Sequence, residues 1–150
     1  MKTIAERINE RTIVQGDCLV WVGAVGGTGY GQMKADGRVQ SVHRLVFEAE
    51  HGEIPTGAVV DHACRNRVCV RRDHLQAVTQ KQNLENQSAS GYGVSGQRGV
   101  YFDRRTSRWR AGVQHNGRKY WAGRHSTIEE AASAVVALRN RLFTNNLDDH

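Results

Sequence analysis

Apolar positions along this chain come in short runs, most of them cut off by glycine. Residues 1–15 are a polar lead-in with helical spacing over 3–9. Cys18-Leu19-Val20-Trp21-Val22-Gly23 is a compact apolar run that predicts a strand. Gly26-Gly27-Thr28-Gly29 is a turn, residues 30–34 form a second strand, and Asp36-Gly37 is a hairpin signal before a strand over 38–40. Ser41 then caps a helix over 42–51, with Val42, Leu45 and Val46 along its apolar face and Gly52 and Pro55 ending it. Ala58-Val59-Val60 is a short buried strand that runs into Asp61-His62. A cysteine-bearing loop follows, then a strand over 75–78 and a helix from Thr79 that carries Asn83. Strand, loop, strand, helix makes a ββα unit, whose helix returns Asn83 over the strand that holds His62.

The pattern then changes. Gln87 to Gln97 is uncharged and rich in serine and glycine, which predicts a linker. Beyond it, strands are expected over 99–102, 108–114 and 118–123, with turns at 104–107 and at Asn116-Gly117. Ser126-Thr127-Ile128-Glu129 reads as a capping box. It opens a helix with Ile128, Ala132, Val135, Val136 and Leu142 along one face. The fold class is α+β: a ββα module over 1–86, a linker over 87–97, and a small three-stranded antiparallel sheet packed on one helix over 98–150.

Charge narrows the partner. The chain carries a formal +6, and a polyanion suits it. Between Arg98 and His125 eight basic residues face a single acid, Asp103, so this segment alone exceeds the net charge of the whole chain. Trp109, Trp121 and Tyr101 interleave with those cations. Strand alternation puts Arg108 and Arg110 on one face, with Trp109 opposite, and puts Lys119 and Trp121 together. A basic sheet of this kind can present arginine to base edges in the major groove of duplex DNA. No apolar run is long enough to span a bilayer, so no membrane partner is expected. The polar, acid-bearing start is not that of a signal peptide. A cytoplasmic protein is therefore expected, in which disulfides are disfavoured.

Three cysteines, Cys18, Cys64 and Cys69, then need another explanation. Cys64, Cys69 and His74 recur at five-residue steps and offer three donors for a structural Zn2+, which takes four in a tetrahedron. Cys18 and His43 are the candidates for the fourth. Cys18 is preferred because thiolate is the stronger ligand and the residue lies on a strand; a buried strand thiol is the alternative reading of it. The same stretch holds a second donor set. Asp61 and Asn83 supply hard oxygens suited to Mg2+ or Mn2+, which keep most of their shell for water and phosphate. His62, neutral near physiological pH, can take a proton from water. Arg44 or Arg65 can steady the charge on phosphorus.

These residues carry a resemblance. Asp61 to Asn83 resembles the HNH or ββα-metal nuclease motif and is especially similar to the His-Cys box branch of homing endonucleases. His62, Cys64, Cys69, His74 and Asn83 match that branch's base, zinc ligands and metal-binding asparagine in turn. Cys18-Leu19-Val20-Trp21-x-Gly23, Gly29-Tyr30-Gly31 and His43-Arg44-Leu45 resemble phage and bacterial HNH proteins. The resemblance implies a metal-dependent DNA endonuclease in a phage or bacterial host cell. HNH proteins without zinc often carry asparagine at the position of His74. The distal segment resembles the plant ethylene-response-factor type DNA-binding domain through Arg98-Gly99-Val100, Arg108-Trp109-Arg110-Ala111, Lys119-Tyr120-Trp121-Ala122-Gly123 and Glu129-Glu130-Ala131-Ala132. It implies DNA contacts from Arg98, Arg110, Lys119 and Trp121, to which the basic face adds Arg108. It departs at Tyr101-Phe102, where the plant domains usually carry a further arginine. A non-catalytic, zinc-stabilised DNA-binding protein is the competing reading. A homodimer stays open, since nicking or double-strand cleavage depends on it.

Overall fold

In the computed structural model, which describes residues 2–86 and 93–145, Thr3 opens helix α1 (Ile4–Asn9) with a reciprocal cap. Its hydroxyl accepts from the Glu6 amide at 3.2 Å, and the Glu6 carboxylate accepts from the Thr3 amide at 2.7 Å. The next element departs from expectation. Strand β1 (Thr12–Gln15) turns at Gly16 (φ 56°) and pairs antiparallel with β2 (Cys18–Trp21). Ile13 and Val14 are both exposed, Val14 by 77%. A strand held by its ladder alone, with no buried face, leaves no alternating pattern to read.

Strands β3 (Gln32–Ala35) and β4 (Arg38–Ser41) form a hairpin. Asp36 and Gly37 both have positive φ, 50° and 79°, as the tight primed turn requires. Strand β3 starts two residues later than the pattern suggests, because Gly31 lies under the Trp21 indole. Trp21 is 2% exposed, and its indole nitrogen donates to the Ala24 carbonyl at 2.9 Å. A Cβ on Gly31 would stand 2.7 Å from the ring, and one on Gly23 would stand 2.3 Å from it. The two glycines are the space the tryptophan occupies.

Helix α2 (Val42–His51) follows β4, with Ser41 at its N-cap and Gly52 (φ 81°) at its end. The Ser41 side chain makes no cap hydrogen bond. The buried stripe is Val42, His43 and Phe47, while Leu45 and Val46 are only partly buried. Ile8, Trp21, Met33, Val42 and Val70 form one core cluster, and Phe47, Val60 and Leu75 form a second. Burying one such side chain contributes about 1.5–3 kcal/mol.

Strands β5 (Ala58–His62) and β6 (Leu75–Thr79) pair antiparallel, with Asp61 opposite Gln76 and His62 opposite Leu75. Helix α3 (Gln80–Glu85) follows at once. The Thr79 hydroxyl accepts from the Gln82 amide at 3.2 Å, while Gln82 Oε1 accepts from the Thr79 amide at 3.0 Å.

The chain divides into two units, Met1–Asn83 and Leu84–His150. Residues 87–92 of the expected linker lie outside the described residues. In the second unit β7 (Val100–Asp103), β8 (Arg108–His115) and β9 (Arg118–His125) form one antiparallel sheet in the order β7-β8-β9. Helix α4 (Ile128–Leu142) covers one face. Its cap sits one residue later than read from sequence: Thr127 is the N-cap and accepts from the Glu130 amide, while Glu130 accepts from the Ser126 amide. The buried stripe is correspondingly Ala131, Val135 and Leu138, with Val136 only half-buried.

Candidate functional site

The β2 strand does more than pair with β1. The Trp21 amide donates to the Val68 carbonyl at 2.8 Å, and the Val70 amide donates to the Leu19 carbonyl at 2.7 Å. The cysteine loop is thereby laid along β2, with Val20 bridged to Cys69, and Cys18 is carried to the loop's thiols. Arg65, at φ 58°, turns the loop after Cys64. A short 3-10 turn, Arg72–His74, brings the imidazole in from the other end. The Arg71 guanidinium ties that turn to β2, donating to Asp73 at 2.7 Å and to the Asp17 carbonyl at 2.7 Å.

The donor atoms of Cys18, Cys64, Cys69 and His74 all lie within 4.8 Å of one another. Cys18 Sγ is 3.7 Å from His74 Nδ1, and Cys69 Sγ is 3.6 Å from it. Bonds of about 2.3 Å to sulfur and about 2.0–2.1 Å to nitrogen, at tetrahedral angles, put such donors about 3.5–3.8 Å apart. The group fits zinc in number, kind and spacing. His43 lies elsewhere, on α2 against His62. Burial raises the Cys64 thiol, and burial with the crowding of its fellow thiols pushes Cys69 up to about 12. Thiols packed this way keep their protons until a cation displaces them.

His62 closes β5 and is 3% exposed. Its Nε2 lies 3.0 Å from the carbonyl oxygen of Cys69. A carbonyl only accepts, so the neutral ring carries its proton on Nε2 and its basic lone pair on Nδ1. Burial lowers the His62 pKa, and Arg67 adds to the lowering; the Cys69 carbonyl and Asp61 oppose it. His62 belongs to a cluster of rings. Its centroid is 4.8 Å from that of His43 and 5.8 Å from that of Tyr30, which is itself 5.0 Å from His43. His43 is 6% exposed, and its Nδ1 is buried with no hydrogen-bond partner among the described residues. Burial first, then the neighbouring His62 and Arg44, lower its pKa to about 3.

Asp61 is half-buried and accepts from the Gln76 side chain across the ladder at 3.1 Å. The ladder stays regular through His62, so successive side chains there alternate faces and Asp61 leaves the side opposite His62. Asn83 is half-buried on α3. A carboxylate and an amide oxygen are the kinds of donor that suit a hard divalent ion. Arg44 is exposed, with Glu48 at 4.0 Å. Arg65 is half-buried within the cysteine loop.

On the β7-β8-β9 sheet, the face away from α4 carries a groove of about 300 Å³ lined by Tyr101, Arg110, Gly112, Gln114, Lys119 and Trp121, among others. The Trp121 ring lies over Gly112, where a Cβ would meet it at 2.5 Å. The Arg110 guanidinium stacks on the same indole at 3.9 Å. Arg108 donates to the Ser126 hydroxyl at 3.1 Å. Arg98 is engaged inside its own unit: it donates to the Leu84 and Glu85 carbonyls and stacks on Phe143. Sequence reasoning passed over Arg67 and Tyr30. Tyr30 sits in a Gly-Tyr-Gly segment whose glycines were the visible signal.

This assembly of a ββα unit and a Cys/His group has relatives. Residues 40–85 match the HNH endonuclease family, a span that runs from the end of β4 through α3 and holds His62, Cys64, Cys69, His74 and Asn83. The chain is 37% identical to Protein 7.7 of Escherichia phage T7 over 81 residues, 54% of this chain and 62% of that protein. It is 33% identical to Protein 2.8 of the same phage over 100 residues, covering 61% of this chain and 68% of that protein. Protein 3.8 of phage T7 is 30% identical over 78 residues, 64% of its length. No solved structure matches. The chain belongs to the phage protein family that includes Protein 2.8, and it carries an HNH endonuclease domain. No helix among the described residues is long and apolar enough to cross a membrane.

Proposed function

We propose that the chain is a metal-dependent endonuclease that hydrolyses phosphodiester bonds of duplex DNA. His62 is the general base. Burial keeps the imidazole neutral at working pH, the Cys69 carbonyl fixes its tautomer, and Nδ1 takes the proton of the attacking water. Asp61 and Asn83 would hold a divalent ion, Mg2+ or Mn2+. Such an ion, when bound, supplies Lewis-acid stabilisation of the leaving 3′ oxygen. Cys18, Cys64, Cys69 and His74 would hold zinc and fix the loop.

The observation that carries this reading is the double use of Cys69. Its thiol belongs to the zinc group while its carbonyl orients the base. Closing the metal shell sets the imidazole, so scaffold and catalyst are one piece of chain. The exposed sheet face of the second unit, with Arg110, Lys119 and Trp121, positions the protein on DNA, with Arg108 at its edge. Phosphate contacts there supply affinity and salt dependence.

His62→Ala tests the reading. The variant is expected to bind duplex DNA as the parent does and to leave supercoiled plasmid uncut in the presence of Mg2+. Cleavage at the parental rate would remove His62 from the mechanism.

A further inference from the structure

The cysteine loop places Arg67 against Tyr30, the ring that stacks on His62. The backbone around Arg67 is pinned on both sides: the Val68 amide donates to the Asn66 side chain at 3.2 Å, the Val68 carbonyl accepts from Trp21, and the Cys69 amide donates to the Asn66 carbonyl at 3.0 Å. From there the side chain runs past Gly29, with Cδ 3.5 Å from where a Cβ would stand. Its Nη1 donates to the Thr28 carbonyl at 2.9 Å, and its guanidinium carbon lies 5.4 Å from the centroid of the Tyr30 ring. That ring stacks on His62, with an interplanar angle of 27°. Tyr30 therefore touches both the guanidinium and the imidazole.

Three nearby arginines are paired with acids. Arg44 has Glu48, Arg71 has Asp73 and Arg72 has Glu50. Among the described residues no carboxylate pairs with Arg67. Among the described residues its hydrogen bond goes to a neutral carbonyl, and a guanidinium has five N–H donors in a planar fork. The side chain is exposed, so its remaining donors face water. An arginine tethered by a carbonyl and an aromatic face, yet without an anion, is organised in advance for a phosphate.

We propose that Arg67 is a catalytic residue that donates to a non-bridging oxygen of the scissile phosphate as negative charge builds on phosphorus. This rests on the nuclease reading above. It assigns to Arg67 the charge-stabilising role that the sequence suggested for Arg44 or Arg65.

The test compares wild type, Arg67→Ala, Arg67→Lys and His62→Ala on supercoiled plasmid with Mg2+ at saturating enzyme, alongside duplex affinity and zinc content. A contact made in the transition state lowers the rate at saturation and leaves affinity alone. Arg67→Ala is expected to cut about 10²–10³-fold more slowly, as for loss of one charge-stabilising donor, with unchanged zinc and duplex affinity. Arg67→Lys keeps the charge without the fork and recovers only part of the rate. Added guanidinium ion restores part of the Arg67→Ala rate, which it would not do for a purely structural side chain. An Arg67→Ala rate within about threefold of wild type, beside an inert His62→Ala, overturns the assignment and leaves the nuclease reading standing. A loss confined to affinity, with full rate at saturation, overturns it as well. An inert wild type overturns both.

Discussion

At the scale of single residues, neighbours decide what each group can do. His43 and His62 have the same side chain and touch each other. His62 has a carbonyl partner that fixes its proton on Nε2, whereas His43 has a buried nitrogen with no partner among the described residues and a pKa lowered to about 3. The consequence for stability has a definite sign. With a folded pKa below the unfolded value of about 6.5, His43 binds fewer protons in the native state than in the unfolded one. Stability therefore falls as pH drops from about 6.5 toward about 3, and is unaffected by this group above that window. Urea unfolding of wild type and His43→Phe across this range should show a shallower acid-side decline in the variant; parallel profiles would mean that the native state tolerates a charged His43. Gly31 makes a second residue-scale case. Its Cβ would strike the buried Trp21 ring, so Gly31→Ala is expected to cost about 1–3 kcal/mol. A denaturation midpoint equal to the parent's would show that the indole can yield. The sequence displayed the Trp21-x-Gly23 and Gly29-Tyr30-Gly31 spacings, but not that both glycines serve one tryptophan.

At the scale of elements, boundaries with a cap or turn of their own were legible. Helix α2, the two hairpin turns at Asp36-Gly37 and Asn116-Gly117, and the three distal strands all sit within a residue or two of their expected places. Strand β1 was not legible, because both of its apolar side chains face water and its stability lies in the ladder with β2. The Phe47 stripe was missed because His43, a polar residue, shares it. The cysteine loop is the element on which the site turns. The motif gave its donors; the fourth donor comes from the hydrogen bonds that lay the loop along β2, a contact 51 positions apart between Cys18 and Cys69 that spacing alone does not reveal. Zinc content therefore separates the two candidates. Cys18→Ser is expected to lower bound zinc well below one ion per chain, whereas His43→Phe retains it. The reverse pattern would move the fourth ligand to His43. Cys69→Ser is expected to lose the metal and unfold the first unit, because thiolate ligation there contributes folding free energy.

At the scale of the whole molecule, the chain is built as two units, each with its own core. Asp61, His62 and Asn83 lie in the first, within the span that matches the HNH endonuclease family. The basic sheet lies beyond that span. Charge counting along the sequence found this surface but could not sort its arginines. Arg110 stacks on Trp121 in the exposed groove, whereas Arg98 spends its donors on backbone carbonyls. Arg110→Ala and Lys119→Ala are each expected to weaken duplex binding and to reduce the slope of log affinity against log salt by about one. Arg98→Ala should instead act on the stability of the second unit. An unchanged salt slope in the first two would move the DNA contact to another face.

The most direct test is made on wild type and His62→Ala prepared with equal zinc content and mixed with supercoiled plasmid and Mg2+. The imidazole held by the Cys69 carbonyl predicts nicked or linear product from wild type and none from the variant, with equal DNA binding by both. Equal cleavage by the two proteins, or intact plasmid with wild type under Mg2+ and Mn2+ alike, would contradict it.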